Sequence, residues 1–207
     1  MTDKPKIGVL ALQGNFHAHC NALGRAGAEA AEVRTAKDLQ TIDGLIIPGG
    51  ESTTMLKLLD EENLFEPLRE FGAQKPIFGT CAGAILLASE VLNPAQRSLG
   101  LMDLTVERNA YGRQIDSRIA QIDLEGEKAE AVFIRAPVIR RTGPETKVLA
   151  TYLDAPVLVQ HGKHMVATFH PELSSSNSVH AMFIQGVYSS PGFIDRKNHA
   201  EIEEHGR

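Results

Sequence analysis

One cysteine of this chain occupies a position that suits a catalytic nucleophile. In the string "FGTCAGAIL" (residues 78–86), Cys81 lies between Gly79 and Gly83, directly after an apolar run and before a helical pattern. This Gly-x-Cys-x-Gly spacing is that of a nucleophile elbow, with sulfur in place of the usual serine oxygen. A sharp turn from strand to helix aims the first N–H groups of the helix at the sulfur, which favours a thiolate and can stabilise an oxyanion. The alternative is a cysteine buried for packing, which is common for this residue type.

A cysteine nucleophile needs a base, and the base needs a group that orients it. Among the eight histidines, His170 stands just beyond an apolar run in "ATFHPEL", with Glu172 two residues later. Taken alone, this short string is better interpreted as a structural turn. Beside the elbow, it predicts a triad of Cys81, His170 and Glu172. His17 and His19 are expected at the surface of the first helix.

A glycine pair at the end of another apolar run indicates backbone donors near the same site. The string "IIPGGES" (46–52) brings Gly49 and Gly50 to a strand end, where a chain without side chains can approach a ligand closely. Glu51 is a candidate to receive a substrate ammonium group, and Ser52 is a candidate cap of the next helix. A phosphate-binding loop is the weaker interpretation, because the Lys-Ser/Thr ending of such loops is missing.

The first ninety residues alternate between strand-like and helical patterns. Short apolar runs predict buried strands at 7–12, 44–50 and 75–80, with a weaker one at 31–35. Helical spacing predicts helices at 16–26, 52–72 and 82–92. This alternation predicts a parallel sheet with helices on both faces, whose ligands bind at the carboxyl ends of its strands. One rim of the sheet is therefore expected to gather the glycine-bearing strand ends at 13–14, 48–51 and 79–83.

The second half reads as short β-like runs, with a hairpin turn at 161–164 and a helix over 178–187. Together the patterns predict an α/β fold of the flavodoxin-like, three-layer type. It has a mostly parallel central sheet, helices on both faces and a β-rich second half. We expect one domain over residues 1–190 and a polar, frayed tail over 191–207.

Composition excludes several classes of protein. The 207 residues are 43% hydrophobic and 23% charged, too apolar for disorder, and a formal net charge of −5 offers no basic excess for nucleic acid. Two cysteines are too few for a disulfide framework. The sequence shows neither a secretory signal pattern nor an apolar run of membrane-spanning length. We therefore expect a cytoplasmic protein that binds neither nucleic acid nor membrane.

The cysteine elbow and the His-x-Glu pair resemble the class I glutamine amidotransferase family. Within that family, strings spread over residues 8–173 resemble the glutaminase subunits of two-protein pyridoxal 5′-phosphate synthases. These strings are "GVLALQGNFHAH", "LIIPGGESTTM", "EPLREF", "PIFGTCAGAILLA", "VERNAYGRQIDS", "FIRAP" and "FHPEL". Of these, "ERNAYGRQ" and "FIRAP" discriminate best, because other amidotransferases share only the elbow and the His-Pro-Glu string.

The resemblance implies a hydrolase that makes ammonia from L-glutamine and passes it to a separate pyridoxal 5′-phosphate synthase subunit. It implies that Cys81 is the nucleophile, that His170 is its base and that Glu172 orients the base. The backbone N–H groups of Gly50 and Ala82 are the implied oxyanion hole. No cofactor and no metal ion are implied.

The resemblance also implies contacts to the substrate and to the partner. The implied glutamine-binding residues are Gly50, Glu51, Ser52, Arg108, Ile134 and Arg135. From its own surroundings in the sequence, Arg108 would be interpreted as a solvated residue of a β-rich region. We expect the synthase to dock near Gln13 and near 49–50, and to complete the oxyanion hole by turning a glycine peptide.

Other functions are compatible with parts of the pattern. A glutaminase that serves another synthase, such as that of histidine biosynthesis, would keep the chemistry and change the pathway. A redox sensor or chaperone on a similar sheet would use the elbow cysteine without needing His170 or Glu172. An interaction subunit with a degenerate site is disfavoured by the complete triad.

Overall fold

The computed structural model describes residues 4–110 and 117–195. Residues 111–116, in the string "VERNAYGRQIDS", and residues 196–207 of the expected tail lie outside the described residues. The strands are β1 Lys6–Leu10, β2 Glu29–Val33, β3 Gly44–Ile47, β4 Ile77–Thr80, β5 Ala88–Leu92, β6 Met102–Glu107, β7 Ser117–Leu124, β8 Glu127–Ile134, β9 Val138–Thr142, β10 Thr146–Tyr152, β11 Ala155–His161 and β12 His164–Ala167. The helices are α1 Phe16–Arg25, α2 Ala36–Leu39, α3 Ser52–Glu61, α4 Phe65–Gln74, α5 Ala82–Leu87 and α6 Ser178–Tyr188. None of the helices in these two ranges is long and apolar enough to cross a membrane.

Seven of the described strands form the central sheet, in the order β10-β11-β12-β4-β3-β1-β2. The strands from β12 to β2 are parallel, and β10 and β11 add an antiparallel edge. The other described strands form two small sheets, β5-β6-β9 and β7-β8. The predicted α/β fold, with a mostly parallel sheet and a β-rich second half, is confirmed.

Successive residues of the parallel strands point into two separate apolar cores. In β3, Leu45 and Ile47 enter the core shared with α3, α4 and α5, whereas Ile46 enters the core shared with α1 and α6. All three side chains are fully buried. Because helices cover both faces, these strands appear in the sequence as continuous apolar runs rather than alternating ones.

The segment 52–72 forms two helices rather than the single helix predicted. Between α3 and α4, Asn63 adopts a left-handed backbone conformation with a φ of 54°. The N–H of Leu64 donates to the carbonyl of Leu59 over 2.8 Å. The N–H of Asn63 donates to the carbonyl of Asp60 over 3.1 Å. This pair of bonds is a Schellman motif, which ends a helix, and asparagine tolerates its left-handed position.

The helix predicted over 82–92 is also shorter in the structure. α5 ends at Leu87, and the following residues form β5, which pairs with β6. The N–H groups of Leu99 and Leu101 donate to the carbonyls at the end of α5, at Leu86 and Leu87. These long-range bonds occupy the acceptors that a further helical turn would use.

The end of the chain departs from the predicted frayed tail. The hairpin turn at 161–164 and the helix α6 are confirmed. Beyond α6, residues 191–195 form a further helical turn in which Phe193 is buried. The ring of Phe193 packs edge-on against Tyr188, with 5.1 Å between the ring centroids. The prediction is therefore wrong for these residues, because one aromatic side chain anchors a mostly polar segment.

A buried histidine in the sheet should make the stability of the protein depend on pH. The His164 ring accepts a hydrogen bond from the Ile77 N–H over 3.2 Å, and its burial and the charge of Lys163 lower the pKa of His164 to about 4. Between about pH 6.5 and pH 4 the unfolded chain therefore binds a proton that the folded chain does not, so acidification destabilises the fold. His164→Asn keeps an acceptor oxygen and should reduce the loss of unfolding free energy over this window by about 2 kcal/mol.

Urea unfolding at pH 7, 5.5 and 4.5 measures this difference. His17→Asn, which changes an exposed histidine of α1, serves as the control. The same pH slope in wild type and in His164→Asn would contradict the role of His164.

Candidate active site

The turn after β4 holds Cys81 in a strained backbone conformation. Its φ of 48° and ψ of −102° lie outside the regions that residues with side chains normally adopt. The Cys81 N–H donates to the carbonyl of Ala167 on β12 over 2.9 Å. A Cβ atom at Gly79 would lie 2.5 Å from the backbone of Gly83, and a Cβ atom at Gly83 would collide with the carbonyl of Ile47. Both glycines are therefore needed for the strand and the helix to approach each other this closely.

Cys81 is buried but forms part of the wall of a pocket. The residue is 6% exposed, and the pocket has a volume of about 180 Å³. The lining residues are Gly50, Glu51, Ser52, Cys81, Ile85, Arg108, Asn109, Ile134, Arg135, Pro137 and His170. The pocket thus brings together the predicted nucleophile, the predicted base and every residue that the resemblance implied for glutamine binding. Ile85, Asn109 and Pro137 were not singled out in the sequence, because no motif marks them.

The side chains of Cys81, His170 and Glu172 are neighbours in the structure. Cys81 and His170 line the same pocket, and Nδ1 of His170 lies 2.8 Å from Oε1 of Glu172. Burial disfavours the charged imidazole, but the hydrogen bonds and charges of Cys81 and Glu172 outweigh it and raise the pKa of His170 well above its usual range. The backbone N–H of His170 donates to the carbonyl of Val132 on β8 over 2.8 Å. This bond fixes the backbone from which the ring projects.

Two backbone segments lie beside Cys81. Because α5 begins at Ala82, the Ala82 N–H belongs to the first turn, whose donors have no partner within the helix. The second segment contains Gly49, where a Cβ atom would collide with the ring of His170 and lie 3.2 Å from Cβ of Cys81. Only glycine can therefore stand at position 49 while the triad keeps this geometry.

The side chain of Gln13 holds the backbone at Gly50 and Glu51 in place. Its Nε2 donates to the carbonyl of Glu51 over 2.6 Å, and the side chain packs against Gly50. Gly50 has a φ of 147°, a conformation that other residues rarely adopt. The three glycine-bearing strand ends therefore meet on one rim, as the sequence predicted.

The cap of α3 is Glu51, and the predicted cap Ser52 is wrong. The Glu51 carboxylate accepts from the N–H groups of Thr53 (3.0 Å) and Thr54 (2.7 Å). Burial opposes ionisation here, but these N–H groups lower the pKa of Glu51 to about 2. Ser52 instead lies in the first turn, where it is buried and donates to Oε1 of Gln96 over 3.0 Å.

Arg108 reaches into the pocket from the segment after β6. Its side chain is 12% exposed, and its guanidinium lies 3.3 Å from Oε1 of Glu51 and 3.0 Å from Oγ1 of Thr53. Across the pocket, the carbonyl of Ile134 lies 4.0 Å from the sulfur of Cys81. The next residue, Arg135, has a positive φ of 44°, which marks a strained turn at the end of β8.

His19 is buried behind the triad, so its predicted surface position is wrong. The residue is fully buried, and its Nε2 lies 3.3 Å from Oε2 of Glu172. The sequence did contain a signal for this burial. His19 follows Phe16 by three residues and precedes Leu23 by four, which places it on the apolar face of α1. His17 is exposed as predicted. In the described part of the chain, no group of three His, Cys, Asp or Glu side chains is arranged to hold a metal ion.

Comparison with known proteins assigns a family. The model of the SNO glutamine amidotransferase family matches residues 9–189. The pyridoxal 5′-phosphate synthase subunit PdxT of Solibacter usitatus is 58% identical over 187 residues, which cover 86% of this chain and 97% of that protein. The subunit of the same name from Koribacter versatilis is 54% identical over 184 residues, with coverage of 88% and 95%.

A solved structure agrees with these relatives. The crystal structure of a glutamine amidotransferase superposes with a TM-score of 0.82 at 46% identity, covering 87% of this chain and 98% of that chain. The chain belongs to the SNO glutamine amidotransferase family. The expected fold and the expected amidotransferase family are thereby confirmed.

Arg108→Ala should raise the KM for glutamine and change kcat much less, because Arg108 lines the pocket but bonds to Glu51 and Thr53 rather than to the predicted triad. The expected loss of glutamine-binding free energy is about 2 kcal/mol. This is the low end of the cost of leaving a charge without its partner, because the site is partly open. Steady-state kinetics measure it. Arg69→Ala, which removes an exposed arginine from α4, is the matched control. An unchanged KM in Arg108→Ala would remove this residue from the glutamine site.

Proposed function

We propose that this chain is the glutaminase subunit of a pyridoxal 5′-phosphate synthase. It hydrolyses L-glutamine to glutamate and ammonia and passes the ammonia to a synthase subunit. The observation that carries the proposal is that Cys81 and His170 line one pocket and that Glu172 is hydrogen-bonded to His170. The relatives named PdxT, at 58% and 54% identity, support the pathway.

Acylation begins with transfer of the thiol proton from Cys81 to His170. The raised pKa of His170 suits it to hold this proton, and the ionised Glu172 stabilises the imidazolium. The sulfur attacks the amide carbon of the glutamine side chain, and an electron pair moves onto the amide oxygen. The N–H groups of Gly50 and Ala82 bind this oxyanion, and each donor of this kind contributes about 3 kcal/mol.

Collapse of the tetrahedral intermediate releases ammonia. His170 gives its proton to the departing nitrogen, the C–N bond breaks, and a γ-glutamyl thioester remains on Cys81. A water molecule then transfers a proton to His170 and attacks the thioester carbon. The C–S bond breaks, and the proton held by His170 returns to the sulfur. The sum is glutamine plus water giving glutamate plus ammonia.

Arg108 binds the α-carboxylate of glutamine in this proposal. Arg108 lines the pocket, and its Nη2 is held by Glu51 and Thr53. The Glu51 oxygens already accept from Thr53, Thr54 and Arg108, so little capacity is left for a substrate ammonium group. Glu51 therefore serves the site mainly by fixing Arg108 and α3.

Gln13 couples the partner to the oxyanion hole in this proposal. Its bond to the carbonyl of Glu51 restrains the backbone just after Gly50, and its side chain lies against Gly50 itself. A synthase subunit that docks beside Gln13 can shift this bond and turn a glycine N–H toward the oxyanion. Because ammonia released into bulk water is lost to the synthase, activity that depends on docking avoids futile hydrolysis.

The observations disfavour the other functions. A redox or chaperone cysteine has no use for His170 and Glu172 bonded in series behind it. An interaction subunit with a degenerate site does not need a strained cysteine that opens on a pocket. A glutaminase that serves a different synthase would use the same chemistry. This alternative is disfavoured only because the relatives are named as subunits of a pyridoxal 5′-phosphate synthase.

Glutamine hydrolysis, measured alone and with increasing pyridoxal 5′-phosphate synthase subunit, tests the proposal. Wild-type kcat should rise at least tenfold at saturating synthase, because one misaligned oxyanion donor costs about 10²–10³ in kcat. Cys81→Ser should abolish turnover in both conditions while the protein remains folded. Cys20→Ser changes the other cysteine, which is outside the pocket, and should keep full activity. Turnover by Cys81→Ser, or no response to the synthase, would overturn the assignment.

A further inference from the structure

The carboxylate of Glu172 has two oxygens, and the proposed reaction uses only one of them. Oε1 lies 2.8 Å from Nδ1 of His170, and the buried Oε2, which has no hydrogen-bond partner among the described residues, lies 3.3 Å from Nε2 of His19. The side chains of both Glu172 and His19 are fully buried. A buried carboxylate oxygen left without a donor carries a large desolvation cost. His19 is the polar neighbour within 3.3 Å of the oxygen to which His170 does not bond.

A second buried histidine lies behind the first. Nδ1 of His19 lies 3.0 Å from Nε2 of His180 on α6, and Nδ1 of His180 has no hydrogen-bond partner among the described residues. An unpartnered lone pair is tolerated better than an unpartnered buried N–H, so the His180 proton belongs on Nε2. His180 then donates to His19, and the His19 proton must lie on Nε2, toward Glu172. The hydroxyl of Thr80, 3.3 Å from the same nitrogen, shares this side of the ring.

Both rings are neutral at physiological pH. Burial is the largest influence and lowers the pKa of His19 to about 4 and that of His180 to about 3. The charge of Glu172 opposes this shift for both rings, while His170 reinforces it for His19 and Arg25 reinforces it for His180. Because a neutral ring does not cancel the charge of Glu172, that charge stays available to stabilise His170 as an imidazolium.

We propose that His19 is a positioning residue of the triad, which presents a neutral Nε2–H to the unpartnered Oε2 of Glu172, and that His180 fixes the tautomer of His19. The inference rests on the proposed glutaminase function, since hydrolysis is one of its readouts. His19 does not line the pocket, so it acts on the reaction through Glu172 rather than on the substrate.

Two substitutions at His19 separate positioning from packing. His19→Leu removes the donor, whereas His19→Gln keeps an N–H at similar reach. In the complex with the synthase, His19→Leu should lower kcat about tenfold or more with an unchanged KM, the scale seen when an orienting partner is removed. His19→Gln should recover most of that loss. The matched control is His17→Leu, on the exposed face of the same helix.

A double variant tests whether His19 acts through Glu172. If it does, His19→Leu/Glu172→Gln should have the same kcat as Glu172→Gln alone, whereas independent effects would multiply. Thermal unfolding gives the folded fraction to which each rate is normalised. Multiplying losses, or a His19→Gln variant as impaired as His19→Leu, would overturn the inference.

The ¹⁵N NMR signals of the histidine rings give a readout that needs no activity. Wild type should show His19 and His180 neutral between pH 6 and pH 8, each with its proton on Nε2. A charged ring or an Nδ1 proton on His19 would overturn the inference. If wild type with synthase releases no ammonia, the proposed function fails, and these ring signals still decide the state of His19.

Discussion

The parallel pairing of β4 with β12 joins two segments that are far apart in the sequence. Phe78 pairs with Met165, and Thr80 pairs with Ala167, so the ends of both strands reach the same rim of the sheet. Cys81 follows the first strand, and the bond from its N–H to Ala167 ties the elbow to the second. The proposed catalytic arrangement therefore depends on this one register, and a slip by a single residue would turn the neighbouring side chains to the opposite face.

The site combines backbone strain with a buried charge, and the surrounding structure stabilises both. The positive φ of Cys81 costs on the order of 1–3 kcal/mol. It is maintained because the sheet fixes one side of the turn and α5 fixes the other. The charge of Glu172 is buried between His170, which is hydrogen-bonded to Oε1, and His19, whose ring lies 3.3 Å from Oε2. Removing either histidine would leave the buried carboxylate with one polar neighbour fewer.

The sequence predicted the features that follow from local spacing. The elbow, the glycine-bearing strand ends and the parallel sheet each leave a pattern within about ten residues. The break at Asn63 and the early end of α5 were missed, because a left-handed residue and long-range carbonyl partners leave no trace in apolar periodicity. His19 was misplaced because polar residues on a helix are usually exposed. Arg108 and Ile134 were found through resemblance alone, since their place in the pocket depends on the tertiary fold.

Alkylation of the two cysteines tests most directly whether the fold has made Cys81 a nucleophile. Iodoacetamide labelling of the native protein, followed by peptide mass spectrometry, gives a separate rate for Cys81 and for Cys20. Burial, together with the charge of Glu32, raises the pKa of Cys20, which disfavours its reaction. The account predicts that Cys81 reacts faster than Cys20 although it is the more buried of the two, and that glutamine slows only Cys81. Faster labelling of Cys20, or no protection of Cys81 by glutamine, would contradict it.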